Sequence, residues 1–81
     1  MVEVNLWSGL KDLAGGSSVV EVEGATVGAV LDALVAAHPG LAPFIKAGVS
    51  VAVDGEIING DRTAAVPEGA EVFLMQRLKG G

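Results

Sequence analysis

Gly24-Ala25-Thr26-Val27-Gly28-Ala29-Val30-Leu31-Asp32-Ala33-Leu34-Val35-Ala36-Ala37-His38-Pro39-Gly40 is the stretch on which the fold turns. Thr26 has the chemistry of a helix N-cap, a hydroxyl able to accept from a first-turn amide that has no partner inside the helix. Val27, Val30, Leu31, Leu34 and Val35 then recur at the spacing of one helical face. His38-Pro39-Gly40 stops the helix, and His38 near its C-terminal end interacts favourably with the helix dipole when charged. Gly28 costs this helix up to about 1 kcal/mol relative to alanine, and is expected to repay that by allowing close approach to a sheet. A single amphipathic helix cannot bury its stripe alone, so the rest of the chain must supply the surface it packs on.

Outward from the helix, the chain reads as strands. Met1 to Trp7 alternates, with Val2, Val4 and Leu6 on one face and Glu3, Asn5 and Trp7 on the other. Ser8 to Ser18, with Gly9, Gly15 and Gly16, reads as a connection with a short turn at Leu10–Leu13. Val19 to Glu23 alternates again, and the first two strands are expected to form a hairpin. Beyond the helix, Leu41 to Lys46 reads as a single helical turn over the end of the sheet. Val49, Val51 and Val53 mark a third strand. Asp54-Gly55 is a strong hairpin signal, because both central residues of a type I′ turn need positive φ. Glu56 to Ile58 returns as a short strand. Asn59-Gly60-Asp61 and Pro67-Glu68-Gly69 read as turns, and Glu71 to Leu78 as the last strand. The order predicts an α+β, β-grasp (ubiquitin-like) arrangement: a mixed four- or five-stranded sheet around one main helix. Residues 1–75 are expected to form the domain and residues 76–81 a flexible C-terminal tail.

Composition narrows the function classes. Eighty-one residues make one domain. There is no cysteine, and the one histidine, His38, cannot build a zinc site alone, so no metal site is expected. Ten acidic residues against five basic give a net charge of −5, which argues against a nucleic-acid partner. No apolar run reaches the ~20 residues of a membrane span, and no signal-peptide pattern opens the chain. The expectation is a soluble, cytoplasmic protein. Serines 8, 17, 18 and 50 lack the context of a nucleophile elbow, and Gly15-Gly16 lacks the residues that complete a phosphate-binding loop. The carboxylates are scattered over strands and turns. The chain is poorly equipped to be an enzyme.

The sequence ends in Gly80-Gly81, directly after a strand pattern. Two glycines have no side chains to obstruct a narrow channel and adopt whatever backbone shape it demands. A terminal carboxylate is ionised at neutral pH and can attack the α-phosphate of ATP. The plainer reading is an ordinary frayed terminus. Gln76 to Gly81 extends about 20 Å at the usual rise per residue, enough to enter a buried site. Arg77 and Lys79 make this segment cationic on an acidic chain, and with Leu78 they are candidate partner contacts. Trp7, Phe73 and Met75 fall on the strand face away from Val2, Val4, Val72 and Leu74, the face the helix covers. An exposed apolar patch there would mark an interaction site; alternatively, Trp7 covers the sheet against a loop.

The chain resembles the molybdopterin synthase small subunit and the thiamin-biosynthesis sulfur carrier, within the ubiquitin-like β-grasp superfamily. The resemblance rests on Leu10-Lys11-Asp12-Leu13, Ala25 to Leu31, His38-Pro39-Gly40-Leu41, Val51 to Glu56, Pro67 to Val72 and the final Gly80-Gly81. It implies that a ubiquitin-activating-type adenylating enzyme joins AMP to Gly81. A sulfur donor protein then displaces AMP, and the Gly81 thiocarboxylate passes sulfur to an accepting synthase or large subunit. Gly80 would give the tail access, because any Cβ there crowds the channel. Trp7, Ile57 and Met75 match positions where similar subunits present apolar residues to partners. No cofactor is expected on the chain itself; ATP is used by the activating partner. The tail departs from the proline-rich molybdopterin pattern and resembles ubiquitin's Arg-Leu-Arg-Gly-Gly. That leaves the acceptor open among molybdopterin, thiamin, cysteine, thiolated tRNA and natural products. It also leaves two other readings: a modifier conjugated through Gly81 to lysines of target proteins, and a binding module with an inert tail.

Overall fold

The computed structural model describes residues 1–47, 49–58 and 61–76. Five strands, β1 (Val2–Asn5), β2 (Val19–Val22), β3 (Val49–Val53), β4 (Glu56–Ile58) and β5 (Glu71–Gln76), form one sheet in the order β2-β1-β5-β3-β4. β1 and β5 run parallel, and the other neighbours are antiparallel. The sheet is therefore mixed and five-stranded, within the predicted β-grasp arrangement. The β3–β4 turn has the foreseen conformation, with φ of 49° at Asp54 and 85° at Gly55.

The main helix, α2 (Val27–Ala37), lies on the sheet face built by Val2, Val4, Val51, Val53, Val72 and Leu74. Val27, Val30, Leu31 and Leu34 are its buried residues in that core, while Val35 sits half-buried at the margin. Thr26 caps it: its Oγ1 accepts from the Ala29 amide at 3.2 Å. The two amides before Ala29 find partners far away in sequence. Val27 donates to the Ala64 carbonyl at 3.0 Å and Gly28 to the Arg62 carbonyl at 2.8 Å. The loop before β5 thus completes the cap, satisfying donors that every helix start leaves open.

Gly28 has a different reason from the one expected. A Cβ there would lie 3.1 Å from the Arg62 carbonyl oxygen, so the close neighbour is this loop and not the sheet. Arg62 reinforces the contact, donating from Nη2 to the Gly28 carbonyl and to Asp32 Oδ1. The ion pair with Asp32 is exposed and contributes about 0–1 kcal/mol.

Two connections are more ordered than the sequence implied. The β1–β2 link contains α1 (Ser8–Lys11) and a 3-10 turn at Asp12–Ala14, and it drives Leu10 completely into the core. A 3-10 turn at Pro39–Leu41 leads into α3 (Ala42–Ala47) and buries Leu41 as fully. These two leucines close the end of the core that the helix stripe leaves open.

Candidate functional site

The register of the sheet decides what its uncovered face presents. Side chains alternate along each strand, so residues paired across strands form rows on one face. Asn5 pairs with Val19 and with Phe73, Phe73 with Ala52, and Ala52 with Ile57. Val19-Asn5-Phe73-Ala52-Ile57 is therefore one row spanning all five strands, on the face opposite α2. Six large hydrophobic residues are exposed among the described residues, and three of them, Val19 at 42%, Phe73 at 41% and Ile57 at 60%, lie in this single row. Exposed apolar groups scattered singly need no explanation, whereas three gathered in one row make that row a candidate interaction surface. Asn5 is the polar member, and its Nδ2 donates to the Val72 carbonyl at 3.2 Å. The next row toward the end of β5 pairs Met75, half-buried, with Ser50.

β5 is the middle strand of the five. It is hydrogen-bonded to β1 on one side and β3 on the other, and it is the strand from which residues 77–81 continue. Phe73 and Met75 lie on its uncovered side, as alternation foresaw, and Ile57, singled out by the family resemblance, lies on the same face. Trp7 is placed differently. β1 ends at Asn5, and Trp7 leads into α1, its carbonyl accepting from the Leu10 and Lys11 amides at 2.9 and 3.1 Å. Its indole is half-buried, packs against the core, and lies so close to Gly9 that a Cβ there would sit 2.7 Å from Nε1. The strand period therefore stops before Trp7, because burying Leu10 turns the chain. Arg77, Leu78, Lys79, Gly80 and Gly81, with the expected end of the last strand and the turn at Asn59-Gly60, lie outside the described residues.

Away from this face, an open cleft of about 280 Å³ is bounded by Val53, Asp54, Glu56, Ile58 and the loop from Ala64 to Pro67. Its charged groups are carboxylates, which repel phosphates. In the loop before β5, Asp61 accepts from the hydroxyl and amide of Thr63, and these bonds hold its carboxyl below the ordinary value of 3.8. Among the described residues, no cluster of three or more His, Asp or Glu is placed to hold a metal ion. No described helix is long and apolar enough to cross a membrane.

A family model described as the ThiS family matches residues 4–81. The chain belongs to the ThiS family. Solved structures agree with that placement. SAMP1 from Haloferax volcanii is 36% identical, with a TM-score of 0.75 over 99% of this chain and 98% of that one. A chain of the Amycolatopsis orientalis BexX/CysO complex is 28% identical, with a TM-score of 0.82 and complete coverage of both. CysO from Mycobacterium tuberculosis, at 24% identity and a TM-score of 0.86 over 96% of this chain and 100% of that one, shares the fold. No curated protein sequence matches the chain. As a ThiS-family protein, the chain is of the ubiquitin-like sulfur-carrier kind. Sequence reasoning located Ile57, Phe73 and Met75. It missed Val19 and the buried Ala52 beneath the strip, which only the register reveals.

Proposed function

We propose that this ThiS-family protein carries sulfur as a thiocarboxylate on Gly81 and delivers it to a biosynthetic enzyme. The observation that carries the reading is the origin of residues 77–81 in the central strand, beside an uncovered apolar row. A strand held on both sides fixes where the segment starts, and the apolar row supplies a surface by which a partner can hold the domain. Gly80 and Gly81 add a backbone free of side chains.

In this reading the partner is a ubiquitin-activating-type enzyme. A Gly81 carboxylate oxygen attacks the α-phosphorus of ATP, and pyrophosphate leaves. A sulfur nucleophile then attacks the acyl carbon and expels AMP. Sulfide gives the thiocarboxylate directly; a donor-protein persulfide gives an acyl disulfide that a thiol reduces. ATP and catalysis belong to the partner, and this chain is a co-substrate. Ile57, Phe73 and Met75 form the docking face, with Trp7 at its margin and Arg77, Leu78 and Lys79 contacting the channel mouth.

The test is intact-mass measurement after incubation with the activating enzyme, ATP, magnesium and sulfide. The expected product is heavier by the difference between sulfur and oxygen, with the change mapping to Gly81. Recovery of the plain carboxylate alone overturns the reading. A second reading draws on the 33%-identical match to a protein named small archaeal modifier protein 1 from H. volcanii. It is conjugation of Gly81 to lysines of target proteins, and it predicts isopeptide adducts that vanish when Gly80 and Gly81 are deleted.

A further inference from the structure

Among the described strand residues, the uncovered face of the sheet carries charge of one sign. Glu21 on β2 pairs with Glu3 on β1, and Glu3 pairs with Glu71 on β5. Strand spacing sets these neighbours about 5 Å apart at the backbone. Asp54 continues the line: its amide donates to the Glu71 carbonyl at 2.8 Å, and its Oδ1 accepts from the Glu71 amide at 2.9 Å. All four residues are exposed. The ion pairs among the described residues join Met1 to Glu68 and Arg62 to Asp32, so none of the row takes part in one. Lys11, Lys46 and Arg62, the described lysines and arginine, lie on α1, on α3 and in the loop that grips α2. None of them is a strand residue. Like charges placed directly opposite across strands destabilise a sheet, so the row does not serve the fold.

The row also has a definite place. The apolar row through Phe73 lies two residues away on each of these strands, about 7 Å distant. Met75 comes next, and then the segment bearing Arg77 and Lys79. Along β5, the face therefore passes from acidic to apolar.

We propose that the Glu21–Glu3–Glu71 row is the electrostatic half of the docking face, received by a lysine- and arginine-bearing patch on the activating enzyme, and that it fixes the orientation of docking. The proposal rests on the sulfur-carrier reading and adds the chemistry of the partner surface. An apolar strip alone fits a groove in either of two orientations related by a half-turn. A flank charged on one side removes that ambiguity. In one orientation the glutamates meet basic residues and β5 points toward the nucleotide site. In the other, they lie over the mouth of a site that holds the ATP polyphosphate, where like charge repels. Charge complementarity of this kind acts chiefly on the association rate and on register. Its reach is about one Debye length, ~10 Å at 0.1 M salt.

The experiment compares the full chain with the triple variant Glu3→Gln, Glu21→Gln, Glu71→Gln. Association with the enzyme that forms the Gly81 thiocarboxylate is followed by stopped flow. At low ionic strength the variant is expected to associate about 10-fold more slowly, at the lower end of what steering supplies. The difference should disappear near 0.5 M salt, where the screening length is only a few ångströms. Its thermal midpoint should equal or exceed the parent's, because repulsion has been relieved. Equal association rates at low salt overturn the proposal, as does a deficit independent of salt. Ile57→Ala separates the levels. If it weakens the complex and the triple variant does not, the charge proposal falls and the docking face stands; if neither does, the docking face itself is wrong. Failure of the enzyme to modify Gly81 at all refutes the carrier reading instead.

Discussion

Truncating Ile57 and Phe73 to alanine should divide their energies between binding and folding in opposite proportions. Full burial of a large apolar side chain is worth about 1.5–3 kcal/mol. Ile57 is 60% exposed on the edge strand β4, so a partner that covers it gains about 0.9–1.8 kcal/mol and the fold already holds the remaining 0.6–1.2. Phe73 is 41% exposed on the central strand, and the proportions reverse: about 0.6–1.2 kcal/mol for the partner and 0.9–1.8 for the fold. At 1.4 kcal/mol per factor of ten, Ile57→Ala weakens the complex about 5- to 20-fold and Phe73→Ala about 3- to 8-fold. The two residues lie on opposite sides of Ala52, two strand spacings or about 10 Å apart. At that separation losses add, and the double variant should bind about 15- to 150-fold more weakly. Isothermal titration with the activating enzyme measures the first quantity and a circular-dichroism melt the second. A folded double variant whose Kd moves less than twofold refutes the docking assignment. A larger stability loss from Ile57→Ala than from Phe73→Ala refutes the partition.

Two further changes test the frame that holds this face. Gly24→Ala places a Cβ 2.8 Å from the Val30 amide nitrogen and 2.9 Å from Val30 Cγ2; overpacking of about 1–3 kcal/mol outweighs the 0.4–1 gained from a stiffer unfolded chain, so the melting midpoint should fall by about 4–8 °C per net kcal/mol lost, and an unchanged or higher midpoint counts against the packing described. Asp61→Asn should lower the midpoint slightly at neutral pH. The lowered carboxyl of Asp61 contributes stability above its ordinary value of 3.8, and that contribution is lost as pH falls through the folded value, so the gap between the two proteins must close in acid; a gap that widens there contradicts the Thr63 bonds as its source.

Local chemistry made part of this structure legible and left the rest hidden. Helix α2 was readable because its cap, stripe and terminator all fall within residues 24–40. The Asp54-Gly55 turn was readable because a backbone preference names its residues. The parallel pairing of β1 with β5 joins residues 68 apart, and no short-range pattern encodes it. The cap that the loop supplies to α2 uses backbone carbonyls of Arg62 and Ala64, which are chemically the same in any sequence. Only a short turn at Leu10–Leu13 was expected where α1 forms, because Gly9 disfavours a helix locally, while burial of Leu10 in the core secures it. On the uncovered face, alternation identified Phe73 and Met75 as pointing outward but misplaced Trp7. Which outward residues stand side by side depends on register, and both the five-strand apolar row and the glutamate row exist only at that level.

A terminus that reacts has to be free at its end and aimed at its root, and these demands conflict in a small domain. The sheet separates them. Redirecting the root of the terminal segment means breaking the ladders to β1 and β3 together, because β5 has a strand on each side. The edge strands β2 and β4 lack that double restraint, and a segment leaving either could swing by bending a single ladder. The last two residues, Gly80 and Gly81, have no side chains to restrict the backbone. The same central position puts Glu71, Phe73 and Met75 on the strand that leads in sequence to the terminal segment, so a partner that reads the face from acidic to apolar reads the direction of that strand as well. On the proposed reading, recognition and aim share one strand, and a complex formed in the wrong orientation would lose its charge contacts before the terminus reached the nucleotide.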